Sequence, residues 1–188
     1  MNTYTQILYH IVFGTKYGEP TLDKKGRQNL FKYIWGVLRN KKCHLYRING
    51  IDDHLHILTA IHPAVSLSSL IKDIKLASHS FIKGEDLFPE FNGWQKGYGA
   101  FTHHINDKCR LINYIKNQEI HHQQTTWKQE LRKLFEEHGV DYNEKYLFWN
   151  WTPFQGFGYI YPFHTPILHS GLFMFDPLRR ISSWTTSI

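Results

Sequence analysis

Apolar and polar positions change rhythm several times along the chain, and each change marks an element. The stretch "TYTQILYHIVFGT" is β-branched and aromatic with little helical period, which predicts a strand from Thr3 to Phe13. After "GEPTL" the pattern turns helical. Leu30, Phe31, Ile34, Val37 and Leu38 recur at three- and four-residue spacing, opposite lysines and arginines. "CHLYRINGIDDHLHILTAI" reads as two strands, and Asn49-Gly50 is a dipeptide that tight hairpin turns favour, so a β-hairpin is expected there. A second amphipathic helix carries Leu67, Leu70, Ile71, Ile74, Ala77 and Phe81, with Ser66 as its N-cap and Gly84 as its stop. "YGAFTHHI" supplies a fourth strand. "NDKCRLINYIKNQEIHHQ" follows as one helix, and "TTWKQELRKLFEEHG" as another, opened by Thr126 and Gln129 at capping-box spacing.

The order β-α-β-β-α-β followed by helices predicts an α+β fold. It is the ferredoxin-like (RRM-like) split motif: an antiparallel sheet with helices on one face, plus additional C-terminal helices. The other face is expected to stay free for a ligand or partner. Residues 1–140 form one expected domain, and 141–188 an aromatic and proline-rich extension with no assigned role. From about Asn150 the extension shows neither the helical nor the strand period, and its only charges are Asp176, Arg179 and Arg180.

Composition narrows the class without deciding it. Lys plus Arg exceed Asp plus Glu by 22 to 16, and 13 Phe, 11 Tyr and 6 Trp give a high aromatic content. Basic and aromatic residues together suit single-stranded nucleic acid, where phosphates attract charge and bases offer stacking faces. Two cysteines, Cys43 and Cys109, cannot build a disulfide framework or a cysteine-rich zinc site, so a reducing, cytoplasmic setting is expected. The N-terminus lacks the pattern of a secretory leader, and no apolar run is long enough to cross a membrane.

The stretch "IDDHLHIL" raises the chemical question. Residues two apart on a strand share a face, so His54 and His56 point together, where aliphatic side chains would pack more easily. Two imidazoles presented this way can bind one divalent ion. Close histidine pairs also arise without chemistry in a chain of 13 histidines, and His103-His104 and His121-His122 are read as such pairs. A histidine-triad hydrolase would need a third histidine where Leu58 stands; paired His-x-Thr/Ser tripeptides and a His-Glu-x-x-His motif are missing. In "LINYIKNQEIHH", Tyr114 and Gln118 lie four residues apart on one helix face. A tyrosine hydroxyl can attack a phosphodiester, and an amide oxygen beside two imidazoles leaves a ligand set open for phosphate.

These motifs carry a resemblance. "HLHIL" looks like the His-hydrophobic-His motif of HUH endonucleases, and "YIKNQEIHH" like the Tyr-x-x-x-Gln helix of the single-tyrosine transposases of small bacterial insertion sequences, the IS-two-hundred-like family. "YHIVFGTKYGEPTL" resembles that family's opening strand and loop, and "WQKGYGAF" the segment before its last core strand. The match runs from about Tyr4 to His138.

The resemblance implies a DNA transposase that cuts and rejoins single strands at hairpin-marked ends through a 5′-phosphotyrosine. It implies Tyr114 as nucleophile, His54, His56 and Gln118 as ligands of Mg²⁺ or Mn²⁺, and a homodimer whose tyrosine helix completes the partner's site. Asp52 lies on the histidine face by alternation and is either an imidazole-orienting group or a turn aspartate. For DNA contacts, Lys24, Lys25, Arg27, Lys72 and Lys75 could form a basic surface, and Trp94 and Tyr98 could stack on bases. Two other readings stand beside this one: a domesticated relative that processes repetitive chromosomal hairpins, and a noncatalytic single-stranded nucleic-acid-binding protein.

Overall fold

In a computed structural model, the described residues are 4–144. The aromatic extension from residue 145 onward lies outside them. Four antiparallel strands form the sheet: β1 (Leu8–Gly14), β2 (His44–Gly50), β3 (His54–Ala60) and β4 (Gly99–His103), in the order β2-β3-β1-β4. Two helices serve as crossovers, α1 (Lys24–Asn40) and α2 (Leu67–Gly84). Three more follow β4: α3 (Lys108–Lys116), α4 (Gln118–His121) and α5 (Trp127–Glu137). The expected βαββαβ fold is therefore present.

Strand alternation divides the side chains into two cores. Ile11 and Phe13 of β1 and Leu55 and Ile57 of β3 face α1 and α2, against Leu30, Ile34, Leu38, Leu70, Ile71 and Ile74. Each such side chain, removed fully from water, stabilises the fold by roughly 1.5–3 kcal/mol before the cost of ordering it. The caps match the expectation: Ser66 accepts the Ser69 N–H, and Thr126 with Gln129 closes a complete capping box.

The second face is not free. Leu8 and Leu58 pack on Leu111 and Ile115 of α3, while Val12 and Phe101 pack on Trp127, Leu131 and Leu134 of α5. The C-terminal helices carry apolar stripes of their own, and the even-numbered side of β1 and β3 is the apolar surface open to them. His54 and His56 are therefore 0 % exposed, enclosed between sheet and helices.

Two local details differ from the pattern reading. The hairpin does not turn at Asn49-Gly50; β2 continues through Gly50, which pairs with Leu55, and the chain reverses at Asp52-Asp53. The loop after β1 secures that turn, with the Leu22 N–H bonded to the Asp52 carbonyl and the Thr15 N–H to that of Asp53. Gly50 is needed for a different reason, since a Cβ there would stand 2.2 Å from the His54 carbonyl oxygen. The long helix expected over Asn106–Gln123 is also broken. Asn117 (φ −99°, ψ 22°) separates α3 from α4.

Candidate functional site

β3 places His54 and His56 side by side at the centre of the second face, their rings 4.9 Å apart. Each has its Nδ1 occupied. Asp53 Oδ1 lies 2.6 Å from His54 Nδ1, and His10 Nε2 lies 2.9 Å from His56 Nδ1. A carboxylate only accepts, so His54 Nδ1 carries a proton and its Nε2 is the free lone pair of the neutral ring. Trp127 stacks on His54 at 4.0 Å and fixes the ring plane. The orienting carboxylate is Asp53 rather than Asp52, which is exposed at the turn. Alternation fails at that point because the tight turn interrupts the strand.

Helices α3 and α4 bring Tyr114 and Gln118 to the same place, despite the break at Asn117. Both meet Glu130 of α5: the Tyr114 hydroxyl donates to Glu130 Oε1, and Gln118 Nε2 donates to the same oxygen at 3.0 Å. The other carboxylate oxygen, Oε2, lies 3.2 Å from His54 Nε2, 3.3 Å from His56 Nε2 and 3.0 Å from His122 Nε2. Tyr114, His54, His56 and Gln118 thus converge within this chain.

Sequence reasoning misses Glu130, His122 and His10. The His121-His122 pair, which spacing alone gives no role, lies at the site, with His121 Nε2 at 3.6 Å from Glu130 Oε1. Two signals were available. His122 extends the four-residue spacing of Tyr114 and Gln118, and Glu130 interrupts the apolar stripe Trp127, Leu131, Leu134 of α5 with a charge.

The electrostatics follow from enclosure. Burial pushes His56 down to about 4 despite the pull of Glu130, so it is neutral at pH 7. Burial alone would lower His54 too, but the Asp53 and Glu130 carboxylates beside it outweigh that and raise it above 6.5. Burial would raise the Glu130 carboxyl, yet the His56, His122 and His54 imidazoles hold it far below the usual carboxylate range. Burial and the Glu130 charge both raise the Tyr114 phenol well above its ordinary value. A resting Tyr114 is therefore protonated and a poor nucleophile until its surroundings change.

The donor set fits a divalent cation. His54 Nε2, His56 Nε2 and Gln118 Oε1 are buried polar atoms without a hydrogen-bond partner. Ligand atoms of His54, His56, His122 and Glu130 lie within 4.8 Å of one another. Mixed imidazole and oxygen donors suit Mn²⁺, Zn²⁺ or, with more oxygen, Mg²⁺.

The expected DNA contacts divide. Lys25 and Lys72 are exposed, and Tyr98 is 40 % exposed. Lys24 is exposed but pairs with Glu119 at 2.7 Å. Arg27 donates to the Gly50 carbonyl at 2.9 Å and stands 3.5 Å from Glu119. Lys75 donates to the carbonyls of Gln95 and Gly97, and burial lowers it to about 8. Trp94 packs on Phe13 and Phe91 and donates to Ser78 Oγ. Arg27, Lys75 and Trp94 are thus engaged within the fold: Arg27 binds the end of β2 and Glu119, and Lys75 and Trp94 tie the loop Asn92–Tyr98 to α2.

A ferredoxin-like sheet with a helix-borne tyrosine beside a buried histidine–glutamate centre able to hold a divalent cation: that is the class of protein these observations define. The family profile described as "Transposase IS200 like" matches residues 3–118, and the chain belongs to that transposase family. Among solved structures it is similar to a candidate transposase from Deinococcus radiodurans R1. That match has 21% identity and a TM-score of 0.49, covering 63% of this chain and 95% of that one. It is also similar to a REP-associated tyrosine transposase bound to a REP hairpin, at 17% identity and TM-score 0.50, covering 66% of this chain and 76% of that one. The latter likeness supports the fold. No curated protein matches the chain. Among the described residues, no helix is long and apolar enough to cross a membrane.

Proposed function

We propose that this transposase cleaves and rejoins single-stranded DNA at hairpin-marked ends, with Tyr114 as nucleophile. The observation that carries the reading is the meeting of Tyr114 with His54, His56 and Gln118 around Glu130. His54, His56 and Gln118 would hold the cation through the three buried atoms that lack partners. When bound, a divalent ion such as Mg²⁺ or Mn²⁺ supplies Lewis-acid polarisation of the scissile phosphate and offsets the charge that develops there.

The chain's own residues do the rest. Tyr114 gives up its phenolic proton as its oxygen attacks, and the Glu130 carboxylate orients the hydroxyl by its hydrogen bond until then. The phenolic oxygen bonds to phosphorus, the bond from phosphorus to the 3′-oxygen breaks, and that oxygen takes up a proton. The 5′-phosphate stays on Tyr114 until a 3′-hydroxyl attacks it and restores the tyrosine. One phosphodiester replaces another, so no nucleoside triphosphate is consumed. Asp53 and His10 fix the two imidazoles, and Trp127 keeps bulk water from His54.

A noncatalytic binder would have no use for three orphaned polar atoms at the centre of a core, where each costs about 1–3 kcal/mol. The similar REP-associated tyrosine transposase is bound to a REP hairpin, which favours a hairpin as the DNA element recognised here. A second reading, a domesticated relative acting on repetitive chromosomal hairpins, would use the same four side chains. The flanking genomic DNA distinguishes those two. A homodimer is part of the proposal because two element ends must be held for strand exchange; light scattering with and without DNA tests it.

The deciding experiment incubates the protein with end-labelled single-stranded hairpin DNA and Mn²⁺ or Mg²⁺. A covalent protein–DNA adduct is expected from the unaltered protein and none from Tyr114→Phe. An adduct that survives Tyr114→Phe refutes the assignment.

A further inference from the structure

Gln118 and the two histidines of β3 do not exhaust the donors at the site, since the His122 imidazole and the Glu130 carboxylate stand among them. His122 Nδ1 lies 2.7 Å from the Thr125 carbonyl, which only accepts, so that nitrogen carries a proton. The same argument holds for His54 Nδ1 against Asp53. In their neutral forms both rings therefore aim bare Nε2 lone pairs inward. His56 Nε2 points to the same spot, as a buried atom without a partner. Three nitrogens thus surround one oxygen of an ionised carboxylate at 3.0–3.3 Å, with Glu130 itself only 1 % exposed. A cation placed among these groups would meet three imidazole nitrogens and a carboxylate oxygen, ligand atoms that all lie within 4.8 Å of one another.

We propose that Glu130 and His122 are additional protein ligands of the cation, delivered by α5 and the end of α4. They would complete the set begun by His54, His56 and Gln118 and close the centre in the DNA-free chain. This rests on the metal-dependent reading above. Five protein atoms then face the ion, and an octahedral ion keeps one position for a water or for a phosphate oxygen of DNA. The carboxylate divides its labour, Oε2 turned to the imidazoles and Oε1 receiving the Tyr114 hydroxyl and the Gln118 amide. Three imidazoles also shift the preference from Mg²⁺ towards Mn²⁺.

The test uses the full chain, stripped with chelator and titrated with Mn²⁺ alone, without DNA, following free ion by electron paramagnetic resonance. Glu130→Gln and His122→Gln are each expected to weaken Mn²⁺ binding at least about 10-fold. Water-proton relaxation should report one exchangeable water on the bound ion in the unaltered protein, and more in either variant. Unchanged affinity and water count in both variants would overturn the inference while leaving His54, His56 and Gln118 in place. Should Glu130→Gln fail to fold, nitrogen hyperfine counting on the unaltered protein decides: three coordinated imidazoles support the proposal, and two sink it. No Mn²⁺ binding by the unaltered chain, or binding indifferent to His54→Ala and His56→Ala, would instead refute the metal-dependent function itself and this inference with it.

Discussion

Replacing His10 with phenylalanine separates the role of a hydrogen bond from that of volume. His10 is 0 % exposed, and its ring is stacked 5.1 Å from that of His56. Phenylalanine keeps an aromatic ring there and leaves no large cavity, so the main loss is the 2.9 Å bond to His56 Nδ1. With the shared proton on His56 Nδ1, the tautomer that leaves Nε2 free for a cation, the substitution would strand it without an acceptor, at about 1–3 kcal/mol. The ring has an alternative: the proton can move to Nε2, where Glu130 Oε2 waits at 3.3 Å. That relocation recovers part of the stability but turns a lone pair into a donor. The expected outcome is therefore asymmetric. Ion-free stability, measured by urea unfolding, should fall by no more than about 3 kcal/mol. Mn²⁺ affinity should fall about 10- to 100-fold, the range for loss of an orienting partner. His10→Gln, whose amide can offer an oxygen where His10 Nε2 stood, should restore most of the affinity. A His10→Phe protein that binds Mn²⁺ as tightly as the unaltered chain would refute the orienting role.

Other perturbations probe the remaining supports. Trp127→Ala removes the ring stacked on His54 and opens a cavity between α5 and the sheet; a loss of about 3–5 kcal/mol in urea unfolding is expected, and a loss under about 1 would show that α5 is not docked as described. Asp53→Asn should weaken Mn²⁺ binding while Asp52→Asn leaves it unchanged, and equal effects would remove the distinction drawn between them. Mn²⁺ affinity should rise with pH across the range above 6.5. In the ion-free protein His54 is raised above that value and holds a second proton at lower pH, which the ion must displace; a flat profile would contradict the proton on His54.

How far the sequence speaks for the structure depends on the range of the forces involved. Local patterns set the helices, and so α1, α2 and the Thr126–Gln129 box appear where periodicity and capping put them. The hairpin turn departs from its local signal because its position is settled at a distance, by Thr15 and Leu22 reaching for the carbonyls of Asp53 and Asp52. His54, His56, Tyr114 and Gln118 are legible because each lies in a short motif, and the fold brings those motifs together. Glu130 is not, since one carboxylate in an apolar stripe says nothing of which histidines it will meet. His10 is hidden in the same way: only the pairing of β1 with β3 sets it beside His56. Lys75 and Trp94 look like ligand-facing residues because composition cannot distinguish a basic or aromatic side chain that binds from one that fastens a loop.

Strand β3 is an inner strand, with β2 and β1 bonded to its two edges. The imidazoles it bears are consequently as fixed as the sheet itself. The phenol, the amide and the carboxylate arrive on Lys108–Glu137, a stretch that contributes no strand and is held by side-chain packing and by the Asn49 amide of β2, which donates to the Ile115 and Lys116 carbonyls. Substitution or truncation after β4 would therefore remove the phenol, the amide and the carboxylate while leaving the two strand-borne imidazoles in place.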